Sequence, residues 1–97
     1  MTKPRVEIEY CRQCAYLPRS AWMAQELLST FSEELGEVAL IPGGGGEFIV
    51  RLDGEILFSR KQAGRFPEAK ELKLLIRDRV APERTIGHSG RAKDDAG

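Results

Sequence analysis

Polar and apolar residues alternate from Arg5 to Tyr10, with Val6, Ile8 and Tyr10 on one face, which is the period of a strand. From Arg19 to Leu35 the pattern changes. Trp22, Met23, Leu27, Leu28, Phe31 and Leu35 recur at three- and four-residue steps, predicting an amphipathic helix with Pro18 in its first turn and Gly36 as its left-handed stop. Glu37–Ile41 reads as a short buried strand ended by Pro42. Phe48–Leu52 and Ile56–Ser59 flank Asp53-Gly54, the strongest hairpin signal in the chain. Pro67 and Glu68 open a second helix with Ala69, Leu72, Leu75, Ile76 and Val80 as its apolar stripe, and Pro82 stops it. The polar remainder divides the chain into a domain over 1–82 and a tail over 83–97, whose last ten residues or so are expected to be mobile.

The order β-α-β-β-β-α makes the first two strands parallel, joined by a right-handed crossover, and the last two antiparallel. The compact solution is an α/β fold: a mixed four-stranded sheet in the order 2-1-3-4 with two helices packed on it, the minimal thioredoxin-like arrangement. The 97 residues suffice for one such domain. Fifteen basic residues balance fifteen acidic ones, so net charge gives no reason to bind nucleic acid or an anionic membrane. No run approaches the ~18 apolar residues of a membrane helix, and the N-terminus lacks the apolar centre of a signal peptide. The expected location is the cytoplasm, where a permanent structural disulfide is rare.

Against that background the two cysteines, Cys11 and Cys14, gain meaning. They lie two residues apart, between a strand and a helix, the context in which such a pair opens and closes as a redox dithiol. Arg12 between them and Arg19 near the helix start are candidates for lowering a thiol pKa, and no acid lies between Glu9 and Glu26 to oppose them. Tyr16 is the candidate for lining the dithiol. The competing readings are an inert reduced pair, or half of a zinc knuckle completed by His88 or a second chain. Cys11, Cys14 and His88 are too few for a closed zinc site, so no metal is expected.

Other features point to structure. Gly43–Gly46 lacks the Lys and Ser/Thr of a phosphate-binding loop and reads as a flexible connection. Trp22 is expected in or partly in the core. The basic residues of 60–79 are expected to form a solvated helix face with i,i+4 pairs.

The run Val6–Tyr10, Cys11-Arg12-Gln13-Cys14 and Tyr16-Leu17-Pro18-Arg19 resembles the opening of the selenoprotein W, T and H family. Gly46–Val50 with Asp53-Gly54 and Phe58–Lys61 is similar to that family's hairpin, and Gly64-Arg65-Phe66-Pro67 before a Leu/Ile-rich helix completes the likeness over about residues 5–80. The resemblance implies a thioredoxin-like fold and a thiol oxidoreductase role. Dithiol exchange requires no bound cofactor, and the expected partner is a protein or a glutathione-type thiol or disulfide of unknown identity. An alternative role is a redox-sensing binding module without steady turnover. Selenocysteine occupies the second position of the family's pair, which Cys14 matches here. That match, the helix N-terminus and Arg19 favour Cys14 as the attacking group. Thioredoxin logic, and exposure at the strand's end, favour Cys11. The balance goes to Cys14. Thioredoxins also place a cis-proline directly before the third strand, whereas Pro42 lies well upstream of Phe48, so its isomer stays open.

Overall fold

The computed structural model of the chain describes residues 2–86. In chain order the elements are β1 (Arg5–Cys11), α1 (Leu17–Thr30), β2 (Glu37–Gly43), β3 (Phe48–Leu52), β4 (Glu55–Ser59), α2 (Arg60–Ala63) and α3 (Ala69–Val80). The strands form one sheet in the order β2-β1-β3-β4. β1 is parallel to β2 and antiparallel to β3, and β3 is antiparallel to β4. The expected mixed sheet and minimal thioredoxin-like arrangement are present, with one helix more than the two expected.

Alternation in the central strands sets the layers. Val6 and Ile8 of β1 and Phe48, Val50 and Leu52 of β3 share one buried cluster with Met23 and Leu27 of α1 and Leu72 and Ile76 of α3. Both long helices therefore cover the same sheet face. Each fully buried aliphatic side chain there contributes roughly 1.5–3 kcal/mol. The opposite face carries Glu7, Glu9 and Arg51, the last two paired at 3.1 Å.

Several elements depart from the sequence reading. α1 ends at Thr30 rather than Leu35, because Phe31 leaves helical backbone geometry (φ −116°, ψ 43°) and caps it through its N–H to the Leu27 carbonyl. The chain then turns so that Phe31 and Leu35 both still reach the core. Gly36 is not a left-handed stop. It is the point where the chain passes close beneath the N-terminal segment: its N–H donates to the Pro4 carbonyl at 2.8 Å, and a β-carbon there would lie 3.2 Å from Lys3. β2 is a half-buried edge strand that runs through Pro42, opposite Tyr10. An edge position tolerates the missing N–H. All peptide bonds among the described residues are trans.

Trp22 is half exposed, the partly buried placement of the two its spacing allows, and Leu17 and Leu28 of the same helix are also exposed. The apolar stripe of α1 is wider than the surface it packs on, which takes Ser20, Met23, Ala24 and Leu27. α2 is a single short helix, with Ser59 Oγ accepting from the Gln62 N–H and Gly64 closing it in left-handed geometry (φ 77°). The basic stretch is not a solvated face of i,i+4 pairs. Lys73 is buried and donates to Glu26 of α1 at 3.0 Å, and Arg79 pairs with Glu55 of β4 at 2.8 Å. Residues 83–86 lie back on the body: Arg84 pairs with Glu34 at 3.1 Å and sits over the Phe31 ring, and Ile86 packs against the core. His88 and the rest of the tail lie outside the described residues.

α3 starts on a reciprocal capping box between Glu68 and Glu71, and Arg65 grips both oxygens of Glu71. That ion pair holds the Glu71 carboxyl below its ordinary value of 4.5. A carboxyl depressed in the folded state contributes stability above its unfolded pKa and loses it as pH falls through the folded one. Glu71→Gln keeps the cap but not the charge, whereas Glu71→Ala removes both. The melting temperature should fall in the order native, Gln, Ala, with Ala lower by roughly 3–6 °C at neutral pH. Below pH 4.5 the difference between native and Gln should shrink, which thermal scans across pH will check.

Candidate redox site

The dithiol forms where the central strand runs out. The N–H of Cys11 donates to the Glu47 carbonyl at 2.9 Å, and that of Arg12 to the Gly43 carbonyl at 3.3 Å. The N–H groups of Cys14 and Tyr16 then turn back to the Cys11 carbonyl, each at 3.4 Å. Ala15 takes a left-handed backbone (φ 61°) to reverse the chain into α1. A non-glycine residue there costs roughly 1–2 kcal/mol, so the surrounding bonds must hold it. Cys11 and Cys14 are joined as a disulfide with their α-carbons 5.3 Å apart, inside the ordinary range for such a bond.

The two sulfurs face different environments. Cys11 is 1% exposed, while Cys14 lies on the surface. This reverses the expectation that the strand's end would leave Cys11 the more accessible. β-Alternation alone puts Cys11 on the face opposite the buried Tyr10, yet both are buried where the Gly43–Glu47 segment is tied to the strand end. Cys14 precedes α1, whose N-cap is Tyr16 and whose first turn carries no acid. It is close to the positive end of the helix but outside its first turn.

The glycine segment is an ordered turn. Gly45 and Gly46 both adopt left-handed geometry (φ 65° and 77°), and the Glu47 N–H closes the turn onto the Gly44 carbonyl at 3.2 Å. This geometry delivers the Glu47 carbonyl to Cys11. Lys61 of α2 lies over the turn and pairs with Glu47 at 3.2 Å.

Beside the dithiol stands an aromatic cluster. Tyr16 meets Phe66 edge-on with ring centres 4.9 Å apart, and Phe66 meets Phe48 at 5.3 Å. The guanidinium of Arg19 lies 4.0 Å from the centre of the Phe66 ring, and that of Arg60 lies 5.0 Å from it and 5.7 Å from Tyr16. Such contacts contribute roughly 0.5–1 kcal/mol each at the surface. Arg12 is exposed within the dithiol turn. The sequence marks Phe66 and Arg60 only within longer runs and not as residues of the site. The available signals were Ser59 and Gly64 as the caps of a short helix and Phe66-Pro67 before α3.

Among the described residues no group of three or more His, Cys, Asp or Glu is placed to hold a metal, and no helix is long and apolar enough to cross a membrane. The carboxyls held below their ordinary range, Glu55 and Glu71, owe this to hydrogen bonds from Arg79 and Arg65 and do not belong to the dithiol turn.

A model of the Rdx family matches residues 5–78. The chain is similar to migration and invasion enhancer 1 of Mus musculus (32% identical over 74 residues, 74% of this chain and 61% of that protein) and of Bos taurus (32% over 75 residues, 75% and 62%). It thus spans about three-fifths of the length of these curated relatives. Among solved structures, a selenoprotein W-related protein from Vibrio cholerae is 55% identical, with a TM-score of 0.77 over 79% of this chain and 96% of that one. A protein from Bordetella parapertussis is 56% identical, with a TM-score of 0.79 over 80% and 99%.

The turn geometry makes a sharp prediction. Gly44 and Gly46 both have open space where a β-carbon would go, but only Gly46 has a positive φ. Gly46→Ala should cost roughly 1 kcal/mol, whereas Gly44→Ala should be neutral or stabilising by up to ~0.5 kcal/mol. Urea unfolding of the two variants measures the contrast.

Proposed function

The chain belongs to the Rdx family, and from that premise we propose that it is a thiol–disulfide oxidoreductase in which Cys14 attacks and Cys11 resolves. The observation that carries this reading is the asymmetry of the pair. The sulfurs are within bonding distance, yet one is in the core and the other on the surface. An incoming disulfide can meet Cys14 but not Cys11.

In the reduced protein the Cys14 thiolate attacks one sulfur of the partner disulfide, forming a mixed disulfide and expelling the other sulfur as a thiolate. Cys11, deprotonated, then attacks Cys14 Sγ and expels the second partner thiolate. The sum is one protein dithiol oxidised to a disulfide and one partner disulfide reduced to two thiols. An external thiol reductant reverses the step on the protein. No bound cofactor enters the balance. The positive end of α1, the guanidinium of Arg19 over Phe66 and the exposed Arg12 support the thiolate form of Cys14. The burial of Cys11 serves the second step: the resolving thiol is protected until a mixed disulfide forms next to it.

Reduced Cys11→Ser should therefore alkylate at neutral pH about tenfold faster than reduced Cys14→Ser, with a midpoint below the ~8.5 of an ordinary thiol. It should also accumulate mixed disulfides when mixed with a small disulfide. The opposite order of reactivity would return the attacking role to Cys11. Repeated cycling of the wild type with a reductant and a disulfide substrate measures turnover directly.

A further inference from the structure

Resting on the oxidoreductase reading above, we propose that the ring cluster beside the dithiol is a carboxylate-binding subsite. In it Arg19 and Arg60, both set against the Phe66 ring, receive an anionic group carried near the sulfur of the disulfide that Cys14 attacks.

Among the described residues most arginines are ion-paired, and those that are not lie toward the dithiol end of the fold. Arg5, Arg51, Arg65, Arg77, Arg79 and Arg84 each have a carboxylate partner. Among the described residues the arginines without one are Arg12, Arg19 and Arg60. Arg12 lies within the dithiol turn, Arg19 in the first turn of α1 just beyond it, and Arg60 on the helix that faces Tyr16. The acidic residues do not follow them. None occurs between Glu9 and Glu26, and Glu47 in the adjoining turn is taken by Lys61.

Arg19 and Arg60 are also held. Their guanidinium carbons lie 4.0 and 5.0 Å from the centre of one ring, so they are at most about 9 Å apart by the triangle these distances allow. Two cations at that separation repel, and stacking on Phe66 fixes them in place before any ligand arrives. Each still presents donors of a planar fork suited to a carboxylate. The Nε of Arg60 is buried and has no hydrogen-bond partner. That edge of the guanidinium is closed off within the fold, so the donors that Arg60 offers a ligand are its terminal NH2 groups. Reach fits as well. Tyr16 follows Cys14 by two residues, a span of about 7 Å at most, and its ring touches Phe66. A carboxylate a few bonds from the attacked sulfur would reach the cluster. A small carboxylated disulfide meets that requirement, and so does a cystine flanked by Asp or Glu in a polypeptide.

The test compares two small aromatic disulfides, the dianionic dithiobis(nitrobenzoate) and the neutral dithiodipyridine, by stopped-flow with the reduced full-length protein. The neutral reagent reports the reactivity of the thiolate, and the ratio of the two rates reports the subsite. The wild-type ratio should exceed that of 2-mercaptoethanol by about threefold or more and should collapse at high salt. Arg19→Gln and Arg60→Gln should each lower the ratio by about threefold, with dithiodipyridine changed less. Lys3→Gln, before the far end of β1, should not change it. Equal slowing of both reagents, or a ratio equal to that of the free thiol, would overturn the subsite. The wild-type ratio and its salt dependence decide even where a variant fails to fold. Absence of reaction with dithiodipyridine would overturn the oxidoreductase reading itself, and the subsite with it. Cystine peptides flanked by Glu or by Lys separate the sources. Preference for the Glu peptide assigns an acidic polypeptide, and preference among the small reagents alone assigns a small carboxylated disulfide.

Discussion

The N–H of Cys11 donates to the Glu47 carbonyl and the N–H of Arg12 to the Gly43 carbonyl. Gly43 ends β2 and Glu47 leads into β3, so these two bonds tie the end of the central strand to both of its neighbours. That tie fixes the point at which the dithiol turn begins. Cys11 is buried there, Ala15 reverses the chain in left-handed geometry, and Cys14 lies outside. The glycines that looked like slack are what permit it, because consecutive left-handed residues bring the Glu47 carbonyl round to the strand end.

Fixing one sulfur and exposing the other divides labour between chemically identical groups. The exposed thiol is available to a bulky partner, and the buried one can act only within the molecule. α1 and α2 place Arg19 and Arg60 against the ring of Phe66, which meets Tyr16 two residues beyond Cys14. The core beneath, from Val6 to Ile76, keeps this end of the sheet in register. The Lys73–Glu26 pair joins α3 to α1 from within, which stiffens the helix layer under the site. Removing either partner alone would strand a charge.

Much of the fold could be read from periodicity, because Val6, Ile8, Phe48, Val50, Leu52, Leu72 and Ile76 each sit at their expected face. The errors came where tertiary context outweighs local pattern. Phe31 and Leu35 keep helical spacing although the helix has ended, since the core selects the side chains and not the backbone that delivers them. Trp22 and Leu28 continue the stripe beyond the surface that can cover it. α2 is too short for any period to register, yet it carries Arg60 and Lys61 to the site. At the site itself the pair of sulfurs was legible from spacing. The burial of Cys11 was not, because the partners that fix the strand's end lie some thirty residues away in the chain. Phe66 and Arg60 share that difficulty, since their contacts with Arg19 and Tyr16 form only across the fold.

The central claim is that the two cysteines exchange electrons as a pair within one chain. Its most direct measurement is the mass of the wild-type protein after the reduced form is oxidised by a small disulfide. The expected product is a monomer two hydrogens lighter than the reduced chain, in which tryptic fragments 6–12 and 13–19 remain joined until a reductant is added. Covalent dimers as the main product, or a monomer stably carrying an oxidant-derived thiol on each cysteine, would contradict it.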